Sequence, residues 1–259
     1  MTDFAGRFVW YELMTTEPEA AEAFYRSVVG WDAAPFPGGP GGGYTVLSAG
    51  GRGTAGLMAI PPEAYQAGAR PAWLGYLCVD DVDKAAARLR AAGGAVHLDA
   101  RSIPGVGRIA MAADPQGAAF YLIAPEGAGE PTPPPGRAGS IDWHELHTTD
   151  WEAAFGFYAD QFGWAKGEAM PMGPMGTYQL FHAGPGDPEA AGGMMNSPAF
   201  PRPAWLYYFH VDGIEQAVSR VEAGGGRVLQ GPHEVPGGGW IIQGLDPQGA
   251  MFALVGPRR

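Results

Sequence analysis

Cysteine is almost missing from this chain. Cys78 stands alone, so no internal disulfide can form and the sequence suits a reducing compartment. Basic residues are scarce as well. The 16 lysines and arginines face 27 acidic residues, a formal charge of −11 that disfavours binding to a phosphate backbone. No apolar run approaches the roughly 20 residues that a membrane-spanning helix needs. The first residues lack the basic and apolar segments of a secretory signal. A cytoplasmic protein without membrane or nucleic-acid partners is therefore expected. The glycine-rich stretches PGGPGGG (37–43) and PGGGW (236–240) lack a P-loop lysine and the strand–helix setting of a dinucleotide fingerprint, so they read as loops and turns.

What the chain has in quantity is its own sequence, twice. FVWYELMTTEPEAAEAFYRSVVGW (8–31) returns as IDWHELHTTDWEAAFGFYADQFGW (141–164). Trp10 and Trp143, Glu12 and Glu145, the Phe24-Tyr25 and Phe157-Tyr158 pairs, and Gly30-Trp31 and Gly163-Trp164 recur at one constant offset. RPAWLGYLCVDDVDKAA (70–86) answers RPAWLYYFHVDGIEQAV (202–218), and a DPQGA segment begins at both Asp114 and Asp246. A period as long as a domain means two homologous domains, not a solenoid. The expected division is 1–126 and 137–259, joined by a Pro/Gly-rich linker at 127–136 whose prolines favour extended, semi-rigid backbone.

Alternation at 8–14 predicts a strand, with Trp10, Glu12 and Met14 on one face. A helix follows over about 18–29, opened by Pro18 and striped by Ala21, Phe24, Tyr25 and Val28. In the second copy Asp150 is placed to cap, Ala154, Phe157, Tyr158 and Phe162 form the stripe, and Gly30 and Gly163 end the two helices. Three short strands are expected near 31–36, 44–49 and 54–60. The later part of the half repeats the pattern: a strand at 73–79, a helix capped by Asp81, and strands near 95–101, 106–112 and 118–123. Each half reads as βαβββ twice, an α+β pattern.

Strand, helix with Phe-Tyr, Gly-Trp, a second strand ending Val-Asp, a Gly-Gly-stopped helix and a closing DPxG strand together resemble the glyoxalase/bleomycin-resistance/extradiol-dioxygenase group, the vicinal oxygen chelate superfamily. More narrowly, the W-x-E-L-x-T-T-[DE] opening and the DPQGA ending look like two-domain glyoxalase-like proteins labelled hydroxylases. The resemblance implies tandem domains, each a curved, cup-shaped mixed sheet backed by helices, usually with a divalent metal at its centre. The ligand positions it implies fall here on Trp10 and Trp143, Leu74 and Leu206, and Tyr121 and Ala253. Residues 54–60 and 191–196 offer no acid for a further ligand. Trp, Leu and Ala are not metal donors. No cofactor is therefore expected in these positions.

With Trp10 and Trp143 facing inward, strand parity turns Glu12, Glu145 and His147 inward too, and carries Tyr76, Tyr208 and His210 with Leu74 and Leu206. Trp10, Tyr76, Tyr121, Trp143, His147, Tyr208 and His210 are thus candidate ligand-binding residues around Glu12 and Glu145, the candidate catalytic carboxylates. Aromatic surface with a few polar groups suits a small, largely apolar or aromatic ligand. A carboxyl in such surroundings could move a proton or orient the ligand, or could serve the repeated architecture alone. The resemblance leaves open ligand sequestration and hydroxylase-like or lyase chemistry. The alternative is metal-dependent lyase or dioxygenase chemistry from an unconventional second-domain site of Glu145, His147 and His210. A structural role with empty cups is a third class. A monomer and a homodimer both fit the sequence.

Overall fold

The computed structural model describes residues 4–38, 43–127, 135–184, 187–198, 200 and 202–259. Most of the linker expected at 127–136 lies outside the described residues.

Four βαβββ modules follow one another. The first is β1 (Phe8–Thr15), α1 (Pro18–Val29), β2 (Asp32–Pro35), β3 (Thr45–Ala49) and β4 (Arg52–Ala59). After a short helix α2 (Pro62–Gln66), the second comprises β5 (Ala72–Cys78), α3 (Val82–Ala91), β6 (Ala95–Ile103), β7 (Gly107–Ala113) and β8 (Ala119–Pro125). The third comprises β9 (Ile141–Thr148), α4 (Trp151–Phe162), β10 (Ala165–Pro171), β11 (Thr177–His182) and β12 (Gly192–Asn196). The fourth comprises β13 (Ala204–His210), α5 (Ile214–Ala223), β14 (Arg227–Glu234), β15 (Trp240–Leu245) and β16 (Met251–Gly256). They form two eight-stranded sheets, β2-β3-β4-β1-β5-β8-β7-β6 and β10-β11-β12-β9-β13-β16-β15-β14. In each module the first and last strands pair in parallel, and the neighbouring hairpin pairs are antiparallel, so both sheets are mixed.

Local signals explain the boundaries. Pro18 opens α1, where a missing N–H costs nothing. Asp81 and Asp150 cap α3 and α4 by accepting from Lys84 N–H and Ala153 N–H. Gly30 and Gly163 end α1 and α4 with φ of 87° and 74°, a conformation that L side chains rarely adopt. The stripe of α1 is buried as its spacing predicts. On α4, Phe155 is buried with Ala154, Phe157 and Tyr158, whereas Phe162 is half-buried. The short α2 and a 3-10 turn at Gly173–Met175 have no periodic signal long enough to reveal them.

Compact packing does not follow the sequence halves. One unit comprises Met1–Trp10, Leu74–Gly129 and Trp143–Leu206; the other comprises Tyr11–Trp73, Glu130–Asp142 and Tyr207–Arg259. Each unit therefore draws on both halves, and the repeated motifs supply the stitches. In the second unit α1 packs on α5. Trp73 Nε1–H donates to Tyr25 Oη at 2.8 Å, and Tyr25 O–H donates to Asp246 Oδ2 at 3.1 Å. In the first unit Trp205 donates to Tyr158 at 2.9 Å and Tyr158 to Asp114 at 3.2 Å. The other carboxylate oxygen of each aspartate closes its own DPQG turn, accepting from the N–H groups of Gln116 and Ala118, or of Gln248 and Ala250. The Phe-Tyr, RPAW and DPQG motifs are thus one buried relay, made twice.

The Gly-Trp tryptophans act the same way. Trp31 donates to Gly139 O at 2.8 Å and Trp164 to Gly6 O at 2.6 Å. Gly226 leaves room for Phe24, since a Cβ there would lie 2.8 Å from the Phe24 ring. Cys78 is wholly buried. Among the described residues no helix is long and apolar enough to cross a membrane.

Candidate functional site

Strand β9 alternates as the sequence predicts. Glu145 and His147 share a face and are paired in register with Gly193 and Met195 of β12. Both are buried, at 7% and 5% exposure, which is unusual for groups that can ionise and so demands partners. His144, just before Glu145 in sequence, takes the other face; it stacks on Phe8 at 4.5 Å and its Nδ1 lies 2.7 Å from Ala191 O.

The partners come from later strands. Tyr178 of β11 crosses over Gly193, where a Cβ would stand 2.3 Å from its ring. An added methyl group there would have to displace the Tyr178 ring. The Tyr178 hydroxyl donates to Glu145 Oε2 at 2.9 Å and accepts from Trp143 Nε1–H at 2.9 Å. The second carboxylate oxygen, Oε1, lies 2.7 Å from His147 Nε2. That pair is close in distance but off the direction a hydrogen bond needs, because His147 Nε2 has no aligned partner. On the other side of the ring, His147 Nδ1 lies 2.7 Å from Ser197 Oγ, and Phe200 stacks face to face on the imidazole at 3.8 Å. Trp143, Tyr178, Glu145, His147, Ser197 and Phe200 form one connected group within the first unit.

The other candidates are placed as follows. Tyr76 and Tyr121 are register partners in β5 and β8 and stack at 4.4 Å with 9° between ring planes, both 5% exposed. Trp10 is half-buried. In the second unit Glu12 is 3% exposed and paired with Gly56, over which Tyr44 lies: a Cβ on Gly56 would be 1.8 Å from the Tyr44 hydroxyl. The glycine–tyrosine arrangement is therefore repeated around both glutamates. Tyr208 is buried and accepts from Gln243 Nε2–H at 3.0 Å. His210 pairs with Asp142, Nε2 to Oδ2 at 3.0 Å, and Asp142 also accepts from Gly136 N–H and Ser140 O–H. Burial alone would raise the Asp142 pKa, but the hydrogen bonds from His210, Gly136 and Ser140 together hold it below its ordinary value.

The proposed metal set does not assemble. His210 is engaged with Asp142, and no group of three or more His, Cys, Asp or Glu side chains that could hold a metal ion occurs among the described residues. At the positions the resemblance assigns to ligands, Tyr121 is in the Tyr76 stack and Ala253 is the register partner of Tyr208. These residues do not fit a divalent metal.

Sequence reasoning missed Tyr44, Tyr178, Ser197 and Phe200. The tyrosines carried a signal, because GYTVL (43–47) and TYQLF (177–181) recur at matching places in the repeat, as do AGLM (55–58) and GGMM (192–195). Ser197 and Phe200 carried none, since the first half has no such pair.

Tandem βαβββ modules in paired mixed sheets, with polar groups set on the sheet face beside their first strands, define a glyoxalase-type α+β protein. The chain belongs to the Glyoxalase/Bleomycin resistance protein/Dioxygenase superfamily, whose family model matches residues 7–122 and 140–254. It is 34% identical to the protein named "Putative glyoxylase CFP32" of Mycobacterium tuberculosis, over 96% of this chain and 94% of that one. It is 32% identical to the anthracycline biosynthesis protein DnrV of Streptomyces peucetius, over 98% of this chain and 95% of that protein. Among solved structures, the 2,3-dioxygenase LapB from Pseudomonas sp. KL28 superposes with a TM-score of 0.66 at 16% identity, covering 100% of this chain and 94% of that one. The Mn(II)-bound glyoxalase from Novosphingobium aromaticivorans gives a TM-score of 0.63 at 17% identity, covering 98% and 82%. At these identities the solved structures establish the fold alone.

Proposed function

We propose that this chain binds a small, largely apolar or aromatic molecule on the sheet face around Glu145, with chemistry that does not require the family's metal. The observation that carries this reading is the Glu145 carboxylate itself. It is buried, hydrogen-bonded by Tyr178 and set between Trp143 and His147. Aromatic walls supply stacking area, and the carboxylate supplies an acceptor for a ligand hydroxyl or amine. Glu12, with Gly56 and Tyr44, offers a second carboxylate in a related setting. The relative named for anthracycline biosynthesis supports a ligand built on a planar ring system.

In this reading Trp143 and Tyr178 orient the ring, and Glu145 takes or holds a proton at the ligand's polar edge. His147 Nε2 lies within 2.7 Å of Oε1, on the side of the carboxylate away from Tyr178. The test is a thermal-shift screen of phenols, naphthols and anthraquinones against the wild-type protein and E145Q, Y178F and E12Q. Ligand-dependent stabilisation that E145Q and Y178F abolish and E12Q keeps assigns the site to the β9 face. Stabilisation untouched by E145Q would remove Glu145 from it.

A further inference from the structure

We infer that Ser197, His147 and Glu145 form a nucleophilic array, and that Ser197 accepts an acyl group from an activated aryl ester. Ser197 Oγ lies 2.7 Å from His147 Nδ1, and His147 Nε2 lies 2.7 Å from Glu145 Oε1. A serine hydroxyl is a weak nucleophile unless a base takes its proton, and the base needs a third group to fix its tautomer. Glu145 supplies that group. A carboxylate beside Nε2 favours the tautomer with the proton there, leaving the Nδ1 lone pair for the serine hydroxyl. The ring is clamped flat by Phe200 at 3.8 Å. His147 is buried, and its Nε2 has no aligned hydrogen bond in the resting state, as expected of a proton site that tightens on Glu145 only when the imidazole becomes charged. Ser197 is half-buried, just past the end of β12, where a substrate can approach it.

The internal repeat supplies a control. Met195 is paired with His147 just as Met58 is paired with Met14, so Ser197 stands where Ile60 stands in the first module. The backbone confirms the match: Ser197 N–H donates to Thr148 O at 2.9 Å, and Ile60 N–H to Thr15 O at 2.8 Å. The copy without the histidine thus also lacks the serine.

The reaction balances with water as the second reactant. Ser197 Oγ bonds to the ester carbonyl carbon as the carbon–aryloxide bond breaks, and the hydroxyl proton passes through His147 Nδ1 to the departing aryloxide. Water then attacks the acyl-serine and gives its proton to His147, which returns it to Ser197 as the carboxylic acid leaves. The inference rests on the ligand reading above only for the aryl class of the acyl donor.

Incubation with a fluorophosphonate and with 4-nitrophenyl acetate tests it, with intact mass, peptide mapping and nitrophenolate release as readouts. One adduct per chain at Ser197 is expected, absent in S197A, with esterase turnover falling about 100-fold or more in S197A and H147Q. E145Q, a positioning change, is expected to shift the pH profile of labelling as well as its rate. Circular dichroism of S197A, whose loss of one hydroxyl spares the core, separates loss of the nucleophile from loss of the fold. No adduct, or equal labelling of S197A at another residue, overturns the inference. If 1-naphthol still binds in those samples, the ligand reading survives and only the acyl step falls. Failure of both removes both.

Discussion

The Tyr25 hydroxyl reaches Asp246 at 3.1 Å across 221 residues of chain, tying the first βαβββ module to the fourth. Tyr25 is fully buried and also receives Trp73 Nε1–H at 2.8 Å. Replacing it with Phe leaves two buried polar groups short of a partner. Y25F is expected to lower unfolding stability by about 1–3 kcal/mol, a range set by the desolvation of unsatisfied buried groups. Y158F, which breaks the matching link to Asp114, should cost a similar amount. Urea unfolding of both variants checks this, and an unchanged midpoint would show that the relay is incidental.

The same aspartates set a pH dependence. Burial raises the pKa of Asp114 and of Asp246 above the ordinary 3.8, with backbone and tyrosine hydrogen bonds pulling part of the way back. Between that ordinary value and the raised folded value the native state holds more protons than the unfolded chain. Their contribution to stability is therefore full below the unfolded pKa and is lost as pH rises through the folded one. Asp142 works the other way: its lowered pKa contributes stability above 3.8 that is lost as pH falls through the folded value. Unfolding free energy measured against pH should decline less on rising through mild acid in D114N and D246N than in wild type. D142N should remove part of the loss at lower pH.

Space at Gly193 is a third point of leverage. A methyl group there would lie 2.3 Å from the Tyr178 ring, so G193A should push Tyr178 away from Glu145. Overpacking of this kind costs about 1–3 kcal/mol. The variant should weaken ligand binding as Y178F does. Titration of both with one ligand checks it; full affinity in G193A would mean that Tyr178 does not hold the site.

Much of this architecture is legible in the sequence because it is written twice. The offset that aligns Trp10 with Trp143 also aligns the helix stripes, the glycine stops and the DPQG turns, and strand parity places Glu145 and His147 on one face. What parity cannot reveal is reach. Tyr178 meets Glu145 only because Gly193 lets it cross a strand, and Ser197 meets His147 only because β12 runs parallel to β9. His210 shows the reverse. It ends β13, and the neighbouring Asp142 offers a carboxylate that decides its orientation. The motifs most visible in the repeat proved to be the buried stitches, whereas around Glu145 the copies share Trp143, Tyr178 and Gly193 with Trp10, Tyr44 and Gly56 and differ at His147 and Ser197, which stand where Met14 and Ile60 stand.

The measurement that tests this account most directly is calorimetric titration of 1-naphthol into protein whose metal content has been assayed and then stripped with chelator. The account predicts saturable binding that survives metal removal and weakens about tenfold or more in E145Q, the loss expected when a hydrogen bond to a charged group goes. Binding that vanishes with the metal and returns when it is restored, or that is indifferent to E145Q, would contradict it.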